Sequence, residues 1–275
     1  MKSIREIYKI GKGPSSSHTM GPERASQLFK SKYPNADSFK VILYGSLSKT
    51  GVGHGTDRVI RDVLSPLPTE IVFSTEELKN SHPNTMDFIA IKDGQKYDEM
   101  RVESVGGGDI RVPGEPAAAA GEEVYIEHSF AEIHDFCKWR YLHTLSEYVE
   151  LNEGPEIWDY LDRVWTVMCE TIERGLNHDG VLPGGLKVAR KASTYFVKSK
   201  SFTDSLATRA KIYAYALAVA EENASGGKVV TAPTCGSCGV LPAVIYHLTT
   251  SREFLRIRVL RALATAGLFG NVVKT

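Results

Sequence analysis

The spacing of apolar and polar positions changes partway along the chain. Up to about residue 130, short strand-like runs alternate with helical stripes. FKVILYG (39–45) predicts a buried strand, and EIVFS (70–74), DFIAIKD (87–93) and MRVESV (100–105) predict three more, with Asp93-Gly94 as a hairpin turn between the last two. Arg24 to Phe29 carries an apolar stripe that follows Pro22 and is stopped by Pro34, with Ser17-His18-Thr19 as candidate caps. Thr56-Asp57 open another helix, whose Val59, Ile60, Val63 and Leu64 fall on one side.

Beyond about residue 130 the period is helical. Ile157, Trp158, Leu161, Val164, Trp165, Met168, Cys169 and Ile172 mark one face of a helix begun by Gly154-Pro155 and ended by Gly175. A second helix over roughly 206–223 contains IYAYALAVA and is apolar nearly all round, the pattern of a central bundle helix. The pattern therefore predicts an α+β chain, with an α/β domain over 1–135 and an all-α domain over 136–275. The junction is expected within 128–150. No internal repeat is present, and the one low-complexity patch is Ala117 to Ala120, in a loop bounded by Pro and Gly.

Composition narrows the partners. The 275 residues carry 33 basic and 33 acidic side chains, a formal net charge of +0, so there is no electrostatic footprint for nucleic acid or an anionic membrane. No signal-peptide core and no run of about 18 apolar residues appears, which predicts a cytoplasmic protein with a small-molecule partner. Four cysteines are too few for a disulfide framework in a chain of this length.

Four Gly/Ser-rich patches hold the candidate chemistry: GPSSSHT (13–19), YGSLSKTGVGHGTD (44–57), SVGGGD (104–109) and TAPTCGSCG (231–239). Small side chains let backbone N–H groups approach a ligand, and a loop entering a helix N-terminus aims those donors at negative charge. His18 and His54 each precede a predicted helix in such a loop and are the candidate acid/base groups; the alternative is a capping or solvated histidine. His82, His128, His134, His143, His178 and His247 lie in helices or ordinary loops and read as structural. Cys235 and Cys238 form a C-x-x-C that could be a redox pair, half a zinc site or cluster ligands, although no second pair follows to complete a zinc site. Cys137 and Cys169 fall on apolar faces and read as inert core thiols.

Taken together, GPSSSHTMGPERA, YGSLSKTGVGHGTD, the SVGGG stretch, NHDGVLPGGLKVARKA (177–192) and AVAEENASGGKVVTAPTCGSCGVLPAV (218–244) resemble the bacterial iron–sulfur-dependent L-serine dehydratases, in family order. The resemblance implies a β-chain-type α/β domain followed by a helical catalytic domain housing a 4Fe–4S cluster, acting on L-serine as a homodimer. Three cysteines would hold the cluster and leave one iron open as a Lewis acid for the serine hydroxyl. By the family pattern Cys238 is one ligand, and the other two lie in a glycine-rich segment beyond GLFGNVVKT, so the resemblance implies a C-terminally truncated chain, inactive alone. Cys235 stands where many members carry Asn and is not counted as a ligand.

The resemblance further implies that Ser15, Ser16, Ser17 and His18 cradle the substrate carboxylate, with Thr234 also at the substrate. His54 would be the base that removes the α-proton, oriented by Asp57, and His18 the second catalytic candidate. Thr231, Thr234 and Gly239 would shape the cluster loop. Lys187 and Arg190 would neutralise carboxylate or cluster charge, unless they belong to a solvated basic stretch. Two rival readings remain at this level: a pyridoxal-phosphate lyase using a Schiff-base lysine such as Lys191, and a non-catalytic amino-acid or anion-binding module.

Overall fold

A computed structural model describes residues 1–115 and 123–274, so the alanine run 117–120 lies outside the described residues. The chain divides into two compact units, Lys12–Ala120 and Met1–Gly11 together with Gly121–Thr275. The first eleven residues thus join the helical unit, for a packing reason. Met1, Ile4, Ile7 and Tyr8 are buried in its core, the Met1 amino group donates to the Tyr125 carbonyl, and Tyr8 Oη donates to Leu263 O at 2.9 Å. Strand β1 (Ile10–Lys12) then leads into the α/β unit.

There a single π turn, Ser16–Met20, runs directly into α1 (Gly21–Lys32). The cap is Ser15, upstream of the expected Ser17-His18-Thr19: its Oγ accepts from His18 N at 3.1 Å. The elements β2 (Ser38–Leu43), α2 (Gly45–Thr50), α3 (Thr56–Leu64), β3 (Thr69–Phe73), β4 (Thr85–Lys92), β5 (Gln95–Gly106) and β6 (Asp109–Arg111) follow. The five strands form one sheet in the order β3-β2-β4-β5-β6, parallel between β2 and β3 and antiparallel elsewhere. Asp93 and Gly94 turn the β4–β5 hairpin with φ of 52° and 74°, the positive pair a tight hairpin requires.

On β2 the burial alternates, with Phe39, Val41 and Leu43 inside. They share a core with Phe29 of α1 and Val59, Ile60 and Leu64 of α3, in which Phe29 meets Phe39 at 5.6 Å and Phe88 at 5.2 Å between ring centroids. Emptying such a site (Phe→Ala) typically costs about 3–5 kcal/mol.

The helical unit continues with α4 (Phe130–Trp139), α5 (Leu145–Glu153), α6 (Ile157–Leu176), α7 (Ala192–Ser199), α8 (Asp204–Ala224), β7 (Lys228–Val230), α9 (Val240–Ser251) and α10 (Arg256–Lys274). The boundary expected after residue 135 falls inside α4, which Ser129 and Glu132 start with a reciprocal capping box. β7 pairs with β1.

α6 buries Ile157, Leu161, Val164, Trp165, Met168 and Ile172, as its spacing predicts, while Trp158 and Cys169 sit at the edge of that face. α6 and α8 meet closely: a Cβ on Gly175 would lie 2.3 Å from Ala218 O. α8 is less central than its composition predicts. Its buried residues begin at Ala214, and Leu206 and Tyr213 are about half exposed. Among the described residues no helix is long and apolar enough to cross a membrane.

Candidate active site

Three of the four Gly/Ser patches converge in the α/β unit. The π turn presents His18, whose Nε2 lies 2.9 Å from Ser46 Oγ and whose Nδ1 lies 3.4 Å from Ser15 Oγ. Ser46 reaches this position because β2 turns sharply into α2 at Gly45, where φ is 50° and a Cβ would stand 2.5 Å from Pro83 O. The segment between α2 and α3 presents His54, and Gly55, left-handed at φ 65°, starts α3 behind it. Two hydroxyls tie the histidine segments to each other, Thr19 Oγ1 donating to His54 O at 3.0 Å and Thr56 Oγ1 to His18 O at 2.5 Å. The third patch enters through Ser104, whose Oγ donates to Ser17 O at 2.8 Å. The start of α1 is pressed against the same serine, since a Cβ on Gly21 would fall 2.2 Å from Ser104 Oγ.

The two imidazoles are 4.7 Å apart between centroids and tilted by 36°. Burial, with the neighbouring His54 in support, lowers the His18 pKa below the ordinary histidine value, so His18 is neutral near pH 7. His54 Nδ1 lies 3.0 Å from Thr50 O. A carbonyl only accepts, so in the neutral ring Nδ1 carries the hydrogen and Nε2 keeps its lone pair. The partner expected for His54 was Asp57; instead Asp57 pairs with Arg61 at 3.1 Å, and the Thr50 carbonyl orients the ring.

Of the serine triplet, Ser16 is buried and Ser17 half-buried, and the Ser15 hydroxyl is engaged with the backbone N and ring of His18. The sequence reading did not single out Ser46, Thr50 or Ser104, and it read Thr56 only as the start of a helix. Each sits inside a recognised patch, but nothing in the spacing marks which hydroxyl meets which ring.

The fourth patch, with Thr234 and Cys238, lies in the helical unit. Thr231 closes its base, donating to Ile7 O at 2.7 Å and accepting from Lys9 N at 2.8 Å. Within the loop Thr234 Oγ1 and Ser237 Oγ are 3.0 Å apart, and Cys238 N donates to Cys235 O at 3.3 Å. A Cβ on Gly239 would stand 2.7 Å from Ala216 O, so the loop lies tight on α8. Cys235 and Cys238 are 1% and 2% exposed, and burial pushes each thiol up to about 12. Cys169 is likewise raised to about 12 by burial, and Cys137 is raised in the same direction.

A 4Fe–4S cluster takes three or four thiolates in one place. Among the described residues no three His, Cys, Asp or Glu side chains are grouped so as to hold a metal ion. The residues present do not by themselves make up a cluster site; the loop offers a thiol pair, both protonated.

The basic stretch also resolves. Lys187 and Lys191 are exposed, but Arg190 is buried and donates to Glu222 Oε1 at 2.9 Å and to Ser225 Oγ at 2.7 Å. Its charge is therefore spent inside the protein, on a carboxylate that also receives Arg174 Nε at 3.1 Å and lies 3.3 Å from His178 Nδ1. The adjacent Glu221 accepts from the backbone N of Lys191 at 2.6 Å, at the start of α7. Of the histidines read as structural, His178 lies against Glu222 and His247 is buried.

A paired imidazole site among hydroxyls thus lies on an α/β unit, and a buried thiol loop on a separate helical unit. Comparison with known proteins gives the family. A model described as serine dehydratase beta chain matches residues 3–66, and one described as serine dehydratase alpha chain matches residues 69–275. L-serine dehydratase 2 of Escherichia coli is 33% identical over all of this chain and 72% of its own length. The L-serine dehydratases of Streptomyces coelicolor and Mycobacterium bovis are each 32% identical over 99% of this chain and 71% of theirs. The chain belongs to the serine dehydratase family.

Proposed function

We propose that this chain dehydrates and deaminates L-serine to pyruvate and ammonia, as part of a cytoplasmic, homodimeric lyase. The observation that carries the reading is the His18–His54 pair: two imidazoles 4.7 Å apart, with the Nδ1 hydrogen of His54 committed to the Thr50 carbonyl and its Nε2 left basic. Loss of water from serine starts with a weakly acidic Cα–H bond, and a neutral imidazole nitrogen fixed in place is the group suited to accept that proton. His54 Nε2 takes this role. His18, held neutral by burial and by its neighbour, brings no positive charge beside the His54 ring.

The hydroxyls of Ser16 and Ser17, at the entry to the π turn and α1, are the groups for the substrate carboxylate, beside helix-terminal N–H donors. Thr234 is proposed at the substrate on the family resemblance alone. The hydroxide is the harder leaving group, and the iron–sulfur cofactor that would assist it is likewise inferred from the family, with Cys238 as the thiol this chain contributes.

His54→Ala tests the assignment. In a complete, cluster-loaded enzyme, turnover of L-serine should fall by about 10²–10⁴-fold, the usual contribution of a general base, with the cluster spectrum unchanged. Activity within a few-fold of the unsubstituted protein would move the base elsewhere.

A further inference from the structure

One short helix addresses both imidazoles. Ser46, in the first turn of α2, sets Oγ 2.9 Å from His18 Nε2, and Thr50, its last residue, supplies the carbonyl 3.0 Å from His54 Nδ1. The two positions are locked to each other, because Thr50 Oγ1 donates to Ser46 O at 2.8 Å. They are also locked to the sheet, with Tyr44 N bonded to Thr85 O at 3.0 Å and Ser46 N to Pro83 O at 2.8 Å. The other ring contact of His18 is weak by comparison: Ser15 Oγ is 3.4 Å from Nδ1 and already accepts from His18 N. The torsion that turns an imidazole about its stem is broad and roughly two-fold, so a ring with one good hydrogen bond takes its orientation from that bond.

We propose that Ser46 is a positioning residue for the dehydration of serine, its hydroxyl holding the Nε2 edge of His18 so that the ring stays across from His54. The proposal rests on the dehydratase reading above, and Ser46 acts through His18 rather than on the substrate. The short linkage from Gly45 to Ser46 is what makes the contact rigid, since Gly45 has the Pro83 carbonyl where a side chain would go.

The test compares the unsubstituted chain with Ser46→Ala and Ser46→Thr. In protein labelled with ¹⁵N in histidine, the His18 Nε2 signal should move in Ser46→Ala and return toward its original position in Ser46→Thr, while the His54 Nδ1 signal stays in place. In catalytically competent preparations Ser46→Ala should lower kcat about 10-fold, as expected for one hydrogen bond to a reacting group's neighbour, with KM for L-serine unchanged. An unmoved His18 Nε2 signal, or an unchanged kcat, overturns the proposal. If the Ala variant does not fold, Ser46→Cys, which keeps a weak polar group of similar size, carries the same comparison. Absence of serine turnover in a complete, cluster-loaded enzyme sinks the dehydratase reading instead, and the nitrogen signal still decides whether Ser46 holds the ring.

Discussion

Replacing Glu222 should be among the most damaging single changes in the helical unit. Its carboxylate is 7% exposed and takes the guanidinium of Arg190, 3% exposed, at 2.9 Å. Burial alone would raise the Glu222 carboxyl, yet the hydrogen bonds from Arg190, Arg174 and His178 outweigh it and hold the group below the usual carboxylate range. Glu222→Gln keeps the shape and removes the charge, so Arg190 is left as a buried cation with Ser225 Oγ as its neutral partner. Breaking one side of a buried pair costs about 3–5 kcal/mol. Set against a total stability of about 5–15 kcal/mol, that is a large fraction.

Arg174, 41% exposed, offers the contrast on the same carboxylate. Arg174→Ala should cost no more than about 1 kcal/mol, because water screens its charge. Urea unfolding followed by circular dichroism measures both. A double variant, Arg190→Met with Glu222→Leu, should be less destabilised than the sum of its singles, since it leaves no unpaired charge at the buried Arg190 position and the Arg174 guanidinium it frees is partly exposed. A Glu222→Gln midpoint as mild as that of Arg174→Ala, or strict additivity in the double variant, would refute the argument.

Gly175→Ala should destabilise by about 1–3 kcal/mol by the same assay even though alanine is the better helix former, because the new methyl meets the Ala218 backbone at 2.3 Å and neither helix can yield locally. Acid should weaken the fold below the ordinary histidine value of 6.5: burial lowers both His18 and His247, so the unfolded chain binds protons that the folded one does not, and stability falls with pH until the lowered folded values are reached. Urea midpoints between about pH 7.5 and about pH 5.5 measure this, and a His247→Asn variant should lose part of the slope. Anaerobic treatment of the chain with iron and sulfide should give no stoichiometric cluster absorbance, because the described cysteines do not gather; a fully loaded brown protein would place Cys235, Cys137 or Cys169 in the ligand set.

The strands and long helices were legible because each buries one regular face. β2, α3 and α6 match their apolar spacing nearly residue for residue, and the Asp93-Gly94 turn is fixed by two positive φ values that few residue pairs tolerate. α2 was not legible. It is six residues of GSLSKT, polar on most sides, and it forms because Gly45 and the Pro83 carbonyl force the turn. His18 and His54 were candidates read from their loops, and the structure brings their rings within 4.7 Å, whereas the orienting partner expected for His54 was Asp57 and the contact is a backbone carbonyl. Main-chain acceptors leave no trace in the residue types. Arg190 could be read either as a charge-neutralising site group or as part of a solvated stretch, because its partner, Glu222, is 32 residues away, on α8.

The seam between the two family matches, at residues 67–68, does not coincide with a seam in the fold. It falls between α3 and β3, and β3 is the parallel edge partner of β2, register-matched from Phe39 with Thr69 to Leu43 with Phe73. The family matches and the fold therefore disagree about where this molecule can be divided. Two polypeptides split at the boundary between the matches would each carry an unfinished sheet edge and could regain it only by finding each other, whereas a nick beyond β6 would leave all five strands on one piece. For anyone building a complementation pair or inserting a reporter, the serviceable cut is the one the sheet permits.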